Sequence, residues 1–130
     1  MNNQLILVVD DHLANLKLAC DVLEWSGYRV SKAADAEEAL REVEQSPPDL
    51  ILMDIGLLGT DGLSLTQRLK SGEATRHIPV IALTASAMKG DDQRMLAAGC
   101  DGYISKPIDT RVFASQVAQY LETDKKGKRA

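Results

Sequence analysis

Five times along this chain a short apolar run meets a segment with the period of a helix, and that alternation leaves few folds open. Leu5 to Val9 is rich in β-formers and long enough for a strand buried on both faces. Leu16, Ala19, Cys20 and Leu23 then recur at i, i+3, i+4 and i+7, and Gly27 stands where a helix C-cap favours glycine. Tyr28 to Val30 restarts an extended segment. Asp35 with Glu38 three residues later has the form of a capping box, and Ala36, Ala39, Leu40 and Val43 repeat the helical stripe until Pro47 and Pro48 stop it. Leu50 to Met53 predicts a third strand, Leu65 and Leu69 a third short helix, and Pro79 to Leu83 a fourth strand. Met88 to Ala98 reads as a helix closed by Gly99, and Gly102 to Ile104 as a fifth strand. Phe113, Val117, Tyr120 and Leu121 mark the inner face of a last helix begun near Asp109 or Thr110.

Each parallel crossover needs a helix and is right-handed, so the expectation is an α/β fold: a doubly wound five-stranded parallel sheet with five helices. A chain of 130 residues suits one domain with one sizeable core. No apolar run approaches the roughly 20 residues that span a bilayer, and Met1 to Gln4 has no signal-peptide character, so the cytoplasm is the expected location. A net charge of -4 argues against direct nucleic-acid binding. Lys125, Lys126, Lys128 and Arg129 follow the last apolar position and are expected to form a basic C-terminal tail over 124–130, with the domain proper over 1–123. Cys20 and Cys100 lie in no CxxC pair and are expected to pack as small hydrophobes.

In a parallel α/β sheet, ligands sit outside the carboxyl ends of the strands. Those ends carry Asp10 and Asp11 after the first strand, Asp54 after the third, Thr84 after the fourth, and Ser105, Lys106 and Pro107 after the fifth. Three carboxylates on one edge repel unless a cation neutralises them, and oxygen ligands with open positions suit Mg²⁺. Carboxylates, a metal, a hydroxyl and a lysine are the set that handles a phosphoryl group. Asp54 stands singly at the centre of the edge and fits the nucleophile. Asp10 and Asp11, being adjacent, fit the metal.

These stretches resemble the receiver domains of two-component response regulators, the CheY-like superfamily. "VVDDH" is similar to the acidic pair of that family, "LILMDIGLLGTDG" to its phosphoacceptor strand and loop, "VIALTASA" to its hydroxyl strand, and "GYISKPID" to its lysine turn. The resemblance covers about residues 4 to 122 in order. The stretch from His77 to Ile108 resembles in particular the single-domain receivers of the DivK type and the receivers of hybrid histidine kinases. It implies a flavodoxin-like fold in which Asp54 takes a phosphoryl group from a phosphohistidine on a histidine kinase or histidine phosphotransfer protein. It also implies Mg²⁺ held by Asp11, Asp54 and the Gly56 carbonyl, with Asp10 acting through water. Lys106 would pair with the phosphoryl group ahead of a cis peptide at Pro107, and Thr84 with Tyr103 would form a switch. The downstream partner would read the helix over 88–98, the fifth strand and the last helix. Such a domain catalyses only its own phosphorylation and dephosphorylation, and needs no membrane.

Leu58 stands where many relatives have proline, and Gly56 and Ser86 are small at positions that often tune dephosphorylation. The residues also bear simpler readings: Tyr103 as a packed aromatic, His12 and His77 as loop residues, Trp25 as rim packing. A phosphatase of the haloacid dehalogenase type would need a second aspartate at position 56, where Gly56 stands. A flavodoxin-like cofactor module would need a hydroxyl-rich loop where "DDHLAN" is acidic. A receiver excised from a hybrid histidine kinase or multidomain regulator is the remaining alternative.

Overall fold

β3 (Leu50–Asp54) is the middle strand of a five-stranded parallel sheet of order β2-β1-β3-β4-β5. The other strands are β1 (Leu5–Val9), β2 (Arg29–Ala33), β4 (Val80–Thr84) and β5 (Gly102–Ser105). Between them run α1 (Leu13–Trp25), α2 (Ala36–Gln45) and α3 (Gly62–Ser71), and a C-terminal helix spans Phe113–Arg129. This computed structural model describes residues 4–55, 62–84, 97–106 and 108–129. The helix expected over 88–98 falls largely outside them; residues 97 and 98 are helical, and Gly99 follows at φ +103°, as a glycine C-cap requires.

The central strands are buried along their whole length and apolar up to Asp54 and Thr84 at the ends of β3 and β4, because both faces are covered. Leu7, Val9, Ile51, Met53, Val80 and Ala82 point to the side packed by α2 and α3. Ile6, Val8, Leu50, Leu52, Ile81 and Leu83 point to the side packed by α1 and the C-terminal helix, where Phe113 and Val117 are fully buried. The two-residue alternation of each strand therefore feeds two separate cores.

Local chemistry sets the ends of the elements. Asp35 accepts from the Glu38 N–H at 2.8 Å while Glu38 Oε1 accepts from the Ala34 N–H at 2.7 Å, so the expected capping box forms with its return bond one residue early. Gly27 closes α1 at φ +98°. β2 runs on to Ala33, beyond the expected Val30, because its pairing with β1 carries through polar Ser31 and Lys32 to the Val9–Ala33 register. The C-terminal helix starts at Phe113, later than expected, since the Asp109 carboxylate takes the Arg111 N–H at 3.0 Å and holds residues 109–112 in a turn. Its backbone stays helical to Arg129, so the residues expected as a tail continue the helix.

Trp25 is 93% exposed and does no rim packing, because the buried stripe of α1 runs through Leu16, Ala19, Cys20 and Leu23 and leaves position 25 on the outer side. Cys20 and Cys100 are free and buried, and burial pushes the Cys20 thiol up to about 11. Lys70 forms a clamp that the apolar pattern does not announce. Its ammonium donates to the Ile78 carbonyl and to Asp101 Oδ2, each at 2.8 Å, and Asp101 Oδ2 also takes the Val80 N–H at 2.8 Å. The end of α3 is thereby tied to the entries of β4 and β5. Among the described residues no helix is long and apolar enough to cross a membrane.

Candidate functional site

Parallel pairing brings the carboxyl ends of β1, β3, β4 and β5 to one edge of the sheet. Val9 pairs with Met53, which sets Asp10 beside Asp54; Asp54 pairs with Leu83, and Thr84 with Ser105. Asp10 is held by its backbone, whose N–H donates to the Ala33 carbonyl at 3.0 Å, and by its side chain, whose Oδ1 takes the His12 N–H at 2.9 Å. The Lys106 N–H donates to the Thr84 carbonyl at 2.7 Å, fixing the point from which the lysine side chain leaves.

That side chain reaches across the edge. Lys106 Nζ lies 3.2 Å from Asp54 Oδ1 and 3.8 Å from Asp10 Oδ2, with side-chain exposures of 15%, 7% and 2% for Lys106, Asp54 and Asp10. The Asp10 carboxyl is pushed above the ordinary carboxylate value, first by burial and then by the negative charge of Asp54, while the His12 N–H and Lys106 pull it down. Among the described residues, Lys106 is shared between the carboxylates of Asp54 and Asp10. Asp10, Asp11 and His12 each offer a ligand atom within 4.8 Å of the others, so this corner could hold a metal ion. The two carboxylates supply hard oxygen donors of the kind that Mg²⁺ takes. His12 itself is the exposed residue at the start of α1, and its side chain makes no cap hydrogen bond.

Thr84 is buried at the end of β4, one strand from Asp54. Tyr103 lies on β5 opposite Ala82 and is 43% exposed, so it is not part of the buried core. Its carbonyl accepts a hydrogen bond from Tyr120 Oη at 3.1 Å, a contact the helical period of the last segment did not reveal. His77 is exposed in the turn before β4, remote in register from the edge. The expectations for the Gly56 carbonyl, Leu58, Ser86 and the cis peptide at Pro107 fall outside the described residues. Asp10, Asp54 and Lys106 are thus in mutual contact, Asp11 borders them, and Thr84 and Tyr103 sit on the adjoining strands.

Comparison with known proteins gives this arrangement a family context. The family model for the response regulator receiver domain matches residues 6–118. The polar-differentiation response regulator DivK of Brucella ovis is 47% identical over 116 residues, which cover 89% of this chain and 94% of the relative; that of Brucella anthropi is 46% identical over the same length. A CheY-like response regulator receiver domain protein from Methanospirillum hungatei superposes with a TM-score of 0.86 at 31% identity, covering 96% of this chain and 98% of its own. The signal receiver domain of a histidine kinase from Syntrophus aciditrophicus superposes with a TM-score of 0.82 at 34% identity, covering 92% and 91%.

Proposed function

This chain belongs to the response regulator receiver domain family of two-component signal transduction, and from that premise we propose that Asp54 is the phosphoacceptor of a Mg²⁺-dependent switch. The observation that carries the reading is the contact of Lys106 with both Asp54 and Asp10 at the carboxyl edge of the sheet. An Asp54 oxygen attacks the phosphorus of a phosphohistidine on a histidine kinase or histidine phosphotransfer protein. The P–N bond breaks as the P–O bond forms, and the electron pair leaves on the imidazole nitrogen, which takes up a proton. Lys106 balances charge on the phosphoryl oxygens, and Thr84 donates a hydrogen bond to one of them. Asp10, Asp11, Asp54 and the Gly56 carbonyl would hold Mg²⁺, whose charge supports the same oxygens when it is bound.

Thr84, drawn to the phosphoryl group, vacates space into which the Tyr103 ring turns from its present half-exposed position. A downstream protein then reads the segment over 88–98, β5 and the C-terminal helix. The receiver comprises residues 1–123 with a basic extension over 124–130, works in the cytoplasm, and catalyses only its own phosphorylation and dephosphorylation.

The test is a small phosphodonor. Acetyl phosphate with Mg²⁺ should add one phosphoryl group, and peptide mass spectrometry should place it on Asp54. Asp54→Asn keeps the shape and lacks the nucleophile, so an equal level of modification in that variant overturns the assignment.

A further inference from the structure

Gly102 has no conformational reason to be glycine: among the described residues only Gly27 and Gly99 have positive φ. Its reason is space. A Cβ built on Gly102 would overlap the ring of Tyr120, with Cζ at 2.6 Å and Oη at 2.8 Å. The tyrosine of the C-terminal helix therefore lies directly on the β5 backbone, and its hydroxyl donates to the next carbonyl, that of Tyr103, at 3.1 Å. β5 is an outer strand of the sheet. Lys106 turns its N–H to Thr84 on β4, so the alternation of the strand turns the Tyr103 carbonyl, three residues back, to the open edge where Tyr120 meets it.

We propose that Tyr120 is a positioning residue for the Tyr103 switch: it pins the Gly102–Tyr103 backbone through ring contact and a hydrogen bond, and so makes the seat of the C-terminal helix part of the switch. The inference rests on the reading of Tyr103 given above and adds a residue to it. The rotamers open to a side chain depend on its own backbone dihedrals. A pinned backbone gives the Tyr103 ring two discrete positions, and a change between them is felt by the helix through the same contact. Without the pin, β5 absorbs the change locally and the helix does not register it.

Tyr120→Phe keeps the ring over Gly102 and removes the hydrogen bond. Wild type, Tyr120→Phe and Thr84→Ala are each brought to the same phosphorylated fraction with acetyl phosphate and Mg²⁺, and amide shifts are followed by NMR. In Tyr120→Phe the rate of phosphorylation should stay within twofold of wild type, and the shifts around Asp10 and Asp54 should persist. The phosphorylation-dependent shifts over 113–121 should fall by half or more. Wild-type shifts over 113–121 in Tyr120→Phe, with loss of those shifts in Thr84→Ala, would overturn the role of Tyr120 and leave the Tyr103 switch standing. Shifts that survive in Thr84→Ala would instead remove the switch on which the inference rests. A melting temperature for each variant separates a positioning effect from a fold that has loosened as a whole.

Discussion

Lys106 holds its ammonium 3.2 Å from Asp54 Oδ1, so the cation that a phosphoryl group would need already sits against the carboxylate that would receive it. The same ammonium is 3.8 Å from Asp10 Oδ2, and a single positive charge is divided between two buried acids. Several consequences of this crowded edge can be measured.

The first is a pH dependence. The Asp10 carboxyl is raised above its reference value of 3.8, chiefly by burial. A raised carboxyl favours the folded state while protonated, so its contribution is fully present below the unfolded pKa and is lost as pH rises through the folded one. At neutral pH the ionised Asp10 therefore destabilises the metal-free protein. Asp10→Asn should raise the melting temperature at pH 7 and have less effect near pH 4. An equal effect at both values would contradict the assignment of strain to that charge.

Metal addition should act in the opposite sense. If Mg²⁺ sits among Asp10, Asp11 and Asp54, a concentration about 100 times its Kd should stabilise the fold by about 2.7 kcal/mol, a shift of several degrees in melting temperature for a domain of this size. Asp11→Ala should abolish most of that shift. A midpoint unmoved by saturating Mg²⁺ would remove the metal from this corner.

Replacing Thr84 should separate chemistry from signal. Thr84→Ala retains Asp54 and Lys106, so phosphorylation should remain detectable while the shifts over 113–121 disappear. Lys106→Ala should uncouple them as well, since the phosphoryl oxygens then lack their nearest ammonium.

A double-mutant cycle tests the seat of the C-terminal helix. Gly102→Ala should destabilise the wild-type fold by about 1–3 kcal/mol through overpacking against the Tyr120 ring, whose displacement would also take its hydroxyl away from the Tyr103 carbonyl. In a Tyr120→Ala background that penalty should largely vanish. Additive effects in urea denaturation would show that the two positions do not touch.

The Lys70 clamp offers a control at the opposite pole of the sheet. Lys70→Met removes the donor from Asp101 and the Ile78 carbonyl and should cost about 1–3 kcal/mol, with no change in acetyl phosphate labelling of Asp54.

That Asp10, Asp54, Thr84 and Lys106 would meet at one edge was legible in the sequence because each stands at or just past the end of a strand whose direction the alternation had already set. A parallel sheet then has no choice but to gather them. Contacts between distant elements have no such local mark. Tyr120 meets Tyr103 across 17 residues and Lys70 meets Asp101 across 31, and neither spacing corresponds to any helix or strand period. The polar stretch of β2 misled for a related reason: Ser31 and Lys32 look like a strand's end, yet the register with β1 carries them onward. Trp25 misled because aromatic character predicts burial on average, whereas the angle of α1 on the sheet decides which residue is covered.

The two cores of this fold are separated by a wall one strand thick. Among the described residues, Leu65 and Leu69 on one side share no apolar cluster with Phe113 and Val117 on the other, and both sides end at the edge where Asp54 lies. Such a wall isolates as well as supports. Under the proposed switch, a rearrangement at the carboxyl end of β5 would pass into the C-terminal helix through Tyr103 and Tyr120, while α2, which packs on the opposite side, would stay at rest, so drift in the packing around α2 would be free to accumulate without corrupting the message.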